Sequence, residues 1–331
     1  MSRILLHQSR LVLGVALAGC LLTGCQAIDD LGSHFDFADQ GRRVTYLTHD
    51  SSDHLNPTWS PDGVRLVFVS NESGAYKLWM INRDGTGRRQ LTTGKDDDRY
   101  PAWSPDGKRI AFSSKRSGNW DIWVMDAPAA ADASEPVLHQ LTTHPLPDLA
   151  PAWSRDGHKI AFVSYRDLEY SIYTMNADGG NQRKLTTGGN GDWGPTWSLD
   201  GSNITFVSTR SGHGDLYRIQ SDATPAGPYR RLTDTPERDM IPALSPDGGK
   251  IAFVSERNGA RDIWVMNTDG TNPVRVTHRL SGRWAPKYDI NHDFIEGIGY
   301  FCLSWSPDGT SLAFTAVDKS GRGTIAIFSL S

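Results

Sequence analysis

Residues 103–112 read Trp103-Ser104-Pro105-Asp106-Gly107-Lys108-Arg109-Ile110-Ala111-Phe112, and their chemistry decides the fold. Pro presets φ at the second position of a turn, Asp suits the third, and Gly supplies the left-handed residue that closes a hairpin with a bulge. The alternating apolar residues that follow read as a strand. The same words recur at Trp59-Ser60-Pro61-Asp62-Gly63, Trp153-Ser154-Arg155-Asp156-Gly157, Trp197-Ser198-Leu199-Asp200-Gly201, Leu244-Ser245-Pro246-Asp247-Gly248 and Trp305-Ser306-Pro307-Asp308-Gly309. Six copies at steps of 44, 50, 44, 47 and 61 residues mark a repeat array.

Outward from the signature, each copy continues into a polar turn and a third strand, as in Asp121-Ile122-Trp123-Val124-Met125 and Asp262-Ile263-Trp264-Val265-Met266. A short fourth strand closes the unit, as in Gln90-Leu91-Thr92, Gln140-Leu141-Thr142 and Lys184-Leu185-Thr186, with Asp178-Gly179-Gly180 and Asp269-Gly270-Thr271 turning into it. Four short strands per copy predict an all-β, six-bladed β-propeller. The sixth copy reaches its third strand at 325–329, and its fourth is expected from the other end of the chain, Arg43-Val44-Thr45-Tyr46-Leu47-Thr48. That pairing would close the ring and remove open sheet edges.

The totals agree with this reading. The 331 residues carry 34 Lys+Arg against 38 Asp+Glu, a net charge of −4, which gives no general attraction to nucleic acid. A mean hydropathy of −0.45 with 10% aromatics is too polar for a multi-span membrane protein and too apolar for a disordered chain. Three Cys exclude a disulfide scaffold, and Cys302, in the apolar run Tyr300-Phe301-Cys302-Leu303, reads as a small buried hydrophobe.

Residues 1–10 carry Arg3 and Arg10 with no acid, and residues 11–22 form an apolar run too short for a membrane span, so residues 1–24 read as a signal peptide. Leu22-Thr23-Gly24-Cys25 resembles the bacterial lipobox, which implies a lipid on Cys25. Cys20, after Leu17-Ala18-Gly19, is a second candidate, and an ordinary secretory signal a third. Cleavage before Cys25 leaves a polar tether over 25–41 ahead of the propeller, 42–331, and moves the charge from −4 to −6. Gln26 in place of Asp favours an outer-membrane lipoprotein facing the periplasm, by resemblance to enteric lipoproteins.

The pattern Asp-x-x-Pro-x-Trp-Ser-Pro-Asp-Gly, then Ile-Ala-Phe, then Asp-Ile-Trp-Val-Met, then Leu-Thr resembles the repeat of TolB-like propellers and covers nearly all of the expected mature chain. TolB proteins carry an amino-terminal α/β domain before the propeller, whereas about 17 residues separate Cys25 from the first expected strand here. The resemblance implies a monomeric protein, with no cofactor, that binds a protein or peptide partner in the cell envelope, with a possible tie to Tol-Pal-type integrity. There is no Gly-x-Ser-x-Gly elbow, no His-Glu-x-x-His, no Walker loop and no Gly-x-Gly-x-x-Gly after a strand. The catalytic alternative is a polysaccharide lyase of the oligogalacturonate type, whose similar propeller binds a metal through channel histidines. Here His54 is the single His at a repeating rim position, so such a site is not expected.

Five residues before each signature stand His54, Asp98, Asp148, Asp192, Asp239 and Tyr300, and eighteen residues further on stand Glu72, Arg116, Arg166, Arg210, Arg257 and Asp318. Equivalent positions fall on a circle, so these residues are expected at one mouth of the central channel. Every Asp is matched by an Arg, and His54 by Glu72, which predicts contact. Three readings follow: ion pairs that stiffen the mouth, a rim that also receives a partner, or a cation held by the Asp ring, which the Arg neighbours oppose. The long step from 278 to 302 holds Arg283, Trp284, Tyr288, His292, Phe294 and Tyr300, expected either as a contact loop or as a cover between blades. His292 with Asp289, Asp293 and Glu296 lacks the spacing of a known metal site.

Overall fold

A computed structural model describes residues 44–128, 136–189, 191–259, 261–277, 302–317 and 321–330. Six four-stranded antiparallel sheets form a ring, and the innermost strands of successive blades touch in order until the sixth meets the first. Blade two shows the pattern: Asp98–Trp103 innermost, then Arg109–Ser114, Asp121–Asp126 and Leu138–Gln140. Blade six consists of Leu303–Trp305, Ser311–Val317, Gly323–Ser329 and, as its outer strand, Val44–Tyr46. The closure expected from the sequence is present. Val44 pairs with Phe328 and Tyr46 with Ala326, Leu47 N–H donates to the Ile325 carbonyl at 2.8 Å, and Ile325 N–H donates to Thr48 Oγ1 at 3.0 Å.

The signature turn works through its Ser. Ser104 Oγ donates to Asp106 Oδ1 at 2.6 Å and accepts the Arg109 N–H at 2.9 Å, while Gly107 adopts φ 69°. Equivalent Ser–Asp bonds hold the hairpin in all six blades. These hairpins define one face of the ring, and the starts of the inner strands define the other.

Each second strand is apolar on both faces, as expected of a sheet covered on both sides. Ile110 and Phe112 pack toward blade one, and Ala111 packs toward blade three with Trp153, Ile160 and Phe162. The core is therefore six clusters, one at each blade junction. The signature Trp residues also stitch blades together. Trp153, Trp197 and Trp305 donate their indole N–H to the carbonyls of Ala102, Ala152 and Ala243 of the preceding blade, at 3.0–3.2 Å.

The junction of blades six and one buries Leu47 against Trp59, Leu66, Phe68, Ile325 and Ile327. Leu47→Ala should therefore cost about 2–5 kcal/mol in urea unfolding, the range for deleting a buried leucine. A loss under about 1 kcal/mol would mean that the terminal strand does not hold the ring shut.

Candidate functional site

The rim positions come together in the pairs that their matched types predict. Each Asp opens an inner strand opposite the last Ser of the second strand, as Asp98 opposite Ser114 and Asp148 opposite Ser164. The Arg follows two residues after that Ser, so its side chain folds back over the carboxylate. Arg116 Nη2 reaches Asp98 at 2.9 Å, Arg166 reaches Asp148 at 2.7 Å, Arg210 reaches Asp192 at 3.0 Å and Arg257 reaches Asp239 at 2.9 Å. Each guanidinium also lies 5.4–5.6 Å from the ring centre of the Phe in its second strand: Phe112, Phe162, Phe206 and Phe253. A third-strand aromatic, Trp123, Tyr173, Tyr217 or Trp264, stands 4.9–5.2 Å away.

The carboxylates do not form an open ring. The four Asp side chains are at most 1% exposed, and their arginines are 13–21% exposed. What the rim presents to solvent is guanidinium edge. Burial pushes the Asp192 carboxyl up, against the pull of Arg210 and the hydroxyls of Ser208 and Thr186.

Blade one departs from the expected pairing. His54 Nε2 bonds Asp50 Oδ1 at 2.8 Å, Asp50 receives Arg88 at 2.5 Å, and Arg88 reaches Glu72 at 3.2 Å. The expected His54–Glu72 contact is thus replaced by a relay through two residues of connections outside the repeat signature. Burial holds the His54 imidazole below its ordinary value. Burial also acts to raise the Asp50 carboxyl, but bonds from Arg88, Ser52 N–H and His54 outweigh it and hold the group well below the usual carboxylate range. Tyr300, Asp318 and the residues Trp284, Tyr288 and His292 of the long insertion lie outside the described residues, as do Cys20 and Cys25.

Two charged features lay unnoticed in the motif. The Asp that opens the third strand in blades two, four and five is buried and accepts the Thr of the Leu-Thr signature: Asp121 with Thr142, Asp215 with Thr233 and Asp262 with Thr277. Both residue types were visible in the repeat as strand markers. In blade one this position is Lys77, fully buried, whose Nζ donates to the Asp96 carbonyl and stands 3.1 Å from Asp98. Asp98 therefore holds two cations.

Inside the rim runs a channel of about 580 Å³ lined by prolines, tryptophans and small residues of the inner strands, among them Pro101, Pro151, Trp153, Pro195 and Trp197. The inner strands bulge there. Asn56, Tyr100, Ala150 and Ile241 adopt φ of 51–57° at equivalent positions, and Gly194 adopts 58° at the fifth. Non-glycine residues, above all a β-branched Ile, are rare in this region. Cys302 lines the channel, accepts Asn56 Nδ2 at 3.2 Å, and burial pushes its thiol up to about 11, which leaves it a poor nucleophile at neutral pH. Arg155 is the one cationic side chain among the described channel-lining residues.

Closed ring, signature hairpins and buried rim pairs define a six-bladed propeller built from one repeated blade. The family described as the TolB beta propeller domain matches residues 40–145 and 137–228, more than half of the chain, and the chain belongs to that family. Residues 211–330 match the family described as the dipeptidyl peptidase IV N-terminal region. No curated protein matches the chain. Among solved structures, a putative TolB from Agrobacterium tumefaciens is 23% identical with a TM-score of 0.64, over 87% of this chain and 97% of that one. TolB from Acinetobacter baumannii is 21% identical with a TM-score of 0.62, over 81% of this chain and 64% of that one. An oligogalacturonate lyase from Vibrio parahaemolyticus is 16% identical with a TM-score of 0.55, over 90% and 96%. At these identities the likeness is one of fold. Among the described residues no three His, Cys, Asp or Glu side chains gather as a metal set, and Arg155 in the channel opposes a cation there.

Two measurements check the rim. Arg166→Met leaves Asp148 buried without its cation and should cost about 3–5 kcal/mol in chemical denaturation, whereas Arg116→Met should cost about 1–2 kcal/mol less because Lys77 still faces Asp98. Equal losses would refute the shared role of Lys77. The His54 effect has a definite sign. The unfolded chain takes up a proton near pH 6.5 and the fold resists it, so this contribution is complete above about pH 6.5 and declines as pH falls below that. The Asp50 contribution persists until pH drops below about 4. Stability should therefore fall from pH 7.5 to 5, and His54→Gln should flatten that slope. An unchanged slope would assign it elsewhere.

Proposed function

We propose that the chain is a periplasm-facing, lipid-anchored propeller of the bacterial cell envelope that binds a segment of a protein or peptide partner and catalyses no reaction, with a place in Tol-Pal-type envelope integrity. The carrying observation is the channel: a preformed concavity of about 580 Å³, apolar and walled by rigid Pro and Trp, at the axis of a ring whose rim charges are already paired. Cavities of this size and character bind ligands with little ordering cost.

The rim belongs to the same reading. The buried Asp98, Asp148, Asp192 and Asp239 fix Arg116, Arg166, Arg210 and Arg257 on the face opposite the signature hairpins, with His54 and Glu72 at the equivalent positions of blade one, so a partner arriving on that face meets guanidinium edges first. Lipidation at Cys25 and contacts from Trp284, Tyr288 and His292 belong to the same reading. Residue 44 starts its strand at the hairpin face and runs toward the rim, so the chain joins the ring on the hairpin face.

Crosslinked cells test the binding reading. Thr58→Trp with Thr196→Trp narrows the channel at two lining positions. The variant should keep its melting temperature within a few degrees and lose the proteins that copurify with wild type. A folded variant with the same partners would remove the channel as their site. Mass spectrometry should find diacylglycerol on Cys25, and Cys25→Ala should release the protein from membranes. An unmodified, soluble wild type would refute the anchor.

A further inference from the structure

Between the second and third strands the chain turns on the rim face, and in blades one, two, four and five it does so through a glycine: Gly74, Gly118, Gly212 and Gly259, at φ of 72–104°. Blade three has Leu168 there, at φ 61°. The turn itself is unchanged, since Leu168 N–H donates to the Tyr165 carbonyl at 3.0 Å as Gly118 N–H does to Lys115 at 2.9 Å. A leucine in left-handed backbone is strained. Packing does not offset that cost: a side chain at Gly74, Gly118 or Gly212 would meet nothing within 4 Å, and Leu168 at the same tip is 72% exposed, the most exposed large hydrophobic among the described residues. Neither the strain nor the exposure serves the fold.

The rest of the hairpin departs with it. Blade two reads Lys115-Arg116-Ser117-Gly118-Asn119-Trp120 and blade three reads Tyr165-Arg166-Asp167-Leu168-Glu169-Tyr170, so the Arg that covers the rim carboxylate stays while its neighbours become apolar or acidic. In blade two Lys115 lies 4.9 Å from the Trp120 ring centre. In blade three that pair is Tyr165 with Tyr170, both half-buried with ring centres 4.7 Å apart, and Tyr170 stands 6.1 Å from Trp193, with which it lines the channel. An aromatic surface thus runs from beside Leu168 to the channel. Its border is acidic: the Asp167 side chain is 51% exposed and that of Glu169 33%, and the two share one cation, Lys184, at 2.9 and 3.0 Å. Bonds from Lys184 and Tyr173 hold the Asp167 carboxyl below its ordinary value. Arg166 is already engaged by Asp148, so the hairpin keeps an excess of negative charge. Exposed apolar and aromatic side chains bordered by charge are the make-up of an interface centre.

We infer that the blade-three hairpin is the landing point of a partner segment that is both apolar and basic: an aliphatic side chain packs on Leu168, and a Lys or Arg lies over Tyr165 and Tyr170 with its charge against Asp167 and Glu169. The partner supplies across an interface the cation that Lys115 supplies within blade two. Because each rim guanidinium already faces its own Asp, Asp167 and Glu169 set the local sign. The inference rests on the reading of the chain as a partner-binding propeller, and adds where on the rim face the partner arrives and what chemistry it carries.

The test selects peptides from a random display library on the purified full chain and measures the affinity of the enriched ones by fluorescence anisotropy. They should combine apolar residues with Lys or Arg, bind about tenfold more weakly to Leu168→Gly and to Asp167→Asn with Glu169→Gln, and weaken as salt rises. Leu168→Gly should melt at or above the wild-type temperature, because glycine accepts the left-handed turn, so lost binding there is not lost folding. Enriched peptides without basic residues, an affinity indifferent to Leu168→Gly, or no enrichment at all would overturn the inference. A lower melting temperature for Leu168→Gly would overturn it as well, since Leu168 would then serve the fold. Thr58→Trp with Thr196→Trp separates these outcomes from failure of the channel reading. Peptides that need Leu168 and bind the filled channel unchanged leave the hairpin as the site and remove the channel. Peptides lost on filling the channel and indifferent to Leu168→Gly do the reverse, and peptides lost in both variants support both.

Discussion

Everything in this ring depends on one constraint: every blade is a sheet apolar on both faces, so none can stand until a neighbour covers each side. Phe112 needs blade one and Ala111 needs the Trp and Phe of blade three. A linear stack of such blades leaves two bare ends, and only closure removes both. A short strand, three residues from Val44 to Tyr46, therefore carries a disproportionate share of the fold's integrity, because it converts a row of half-covered sheets into a ring. The indole bonds from Trp153, Trp197 and Trp305 follow the same logic, since each satisfies a donor only when the preceding blade is docked.

The rim shows how that rigidity is used. Burying a carboxylate costs several kcal/mol, which a close guanidinium recovers only when geometry and further hydrogen bonds are good. Here Ser114 and Ser208 also accept Arg116 and Arg210, and the aromatic rings beneath them leave each guanidinium few other places to lie. Such pairs add little net stability over an apolar replacement, but they fix where each positive edge points. A rim ordered in this way is preorganised, as is the channel, whose bulged inner strands hold Ala150 and Ile241 in backbone conformations that the surrounding ring enforces.

Blade number, strand order and ring closure were legible because turn chemistry is local: Ser, Asp and Gly must stand at fixed offsets for the hairpin to form, and they do so six times. The Asp–Arg pairs were legible because equivalent positions in one chain vary together. Their burial was not, since charged residues ordinarily face water and the two aromatics that cover each Arg come from different strands. Blade one escaped for a similar reason. The partner of His54 is Asp50, in the connection between the closing strand and the ring, where the repeat offers no register. Lys77 and the third-strand Asp residues were in plain view, but a strand-edge charge reads as solvated until the fourth strand, with its Thr, is folded over it.

Arg155 is the sharpest case, because the signature conceals it as one imperfect copy among six. A turn position tolerates many residues, and Leu199 stands there in blade four without charge. The ring sets that position at the channel together with Pro61, Pro105, Pro246 and Pro307, which carry no charge. A repeat architecture thus has a specific way of acquiring function. Symmetry builds the cavity, and the departure at Arg155 gives it one cationic side chain among its described lining residues.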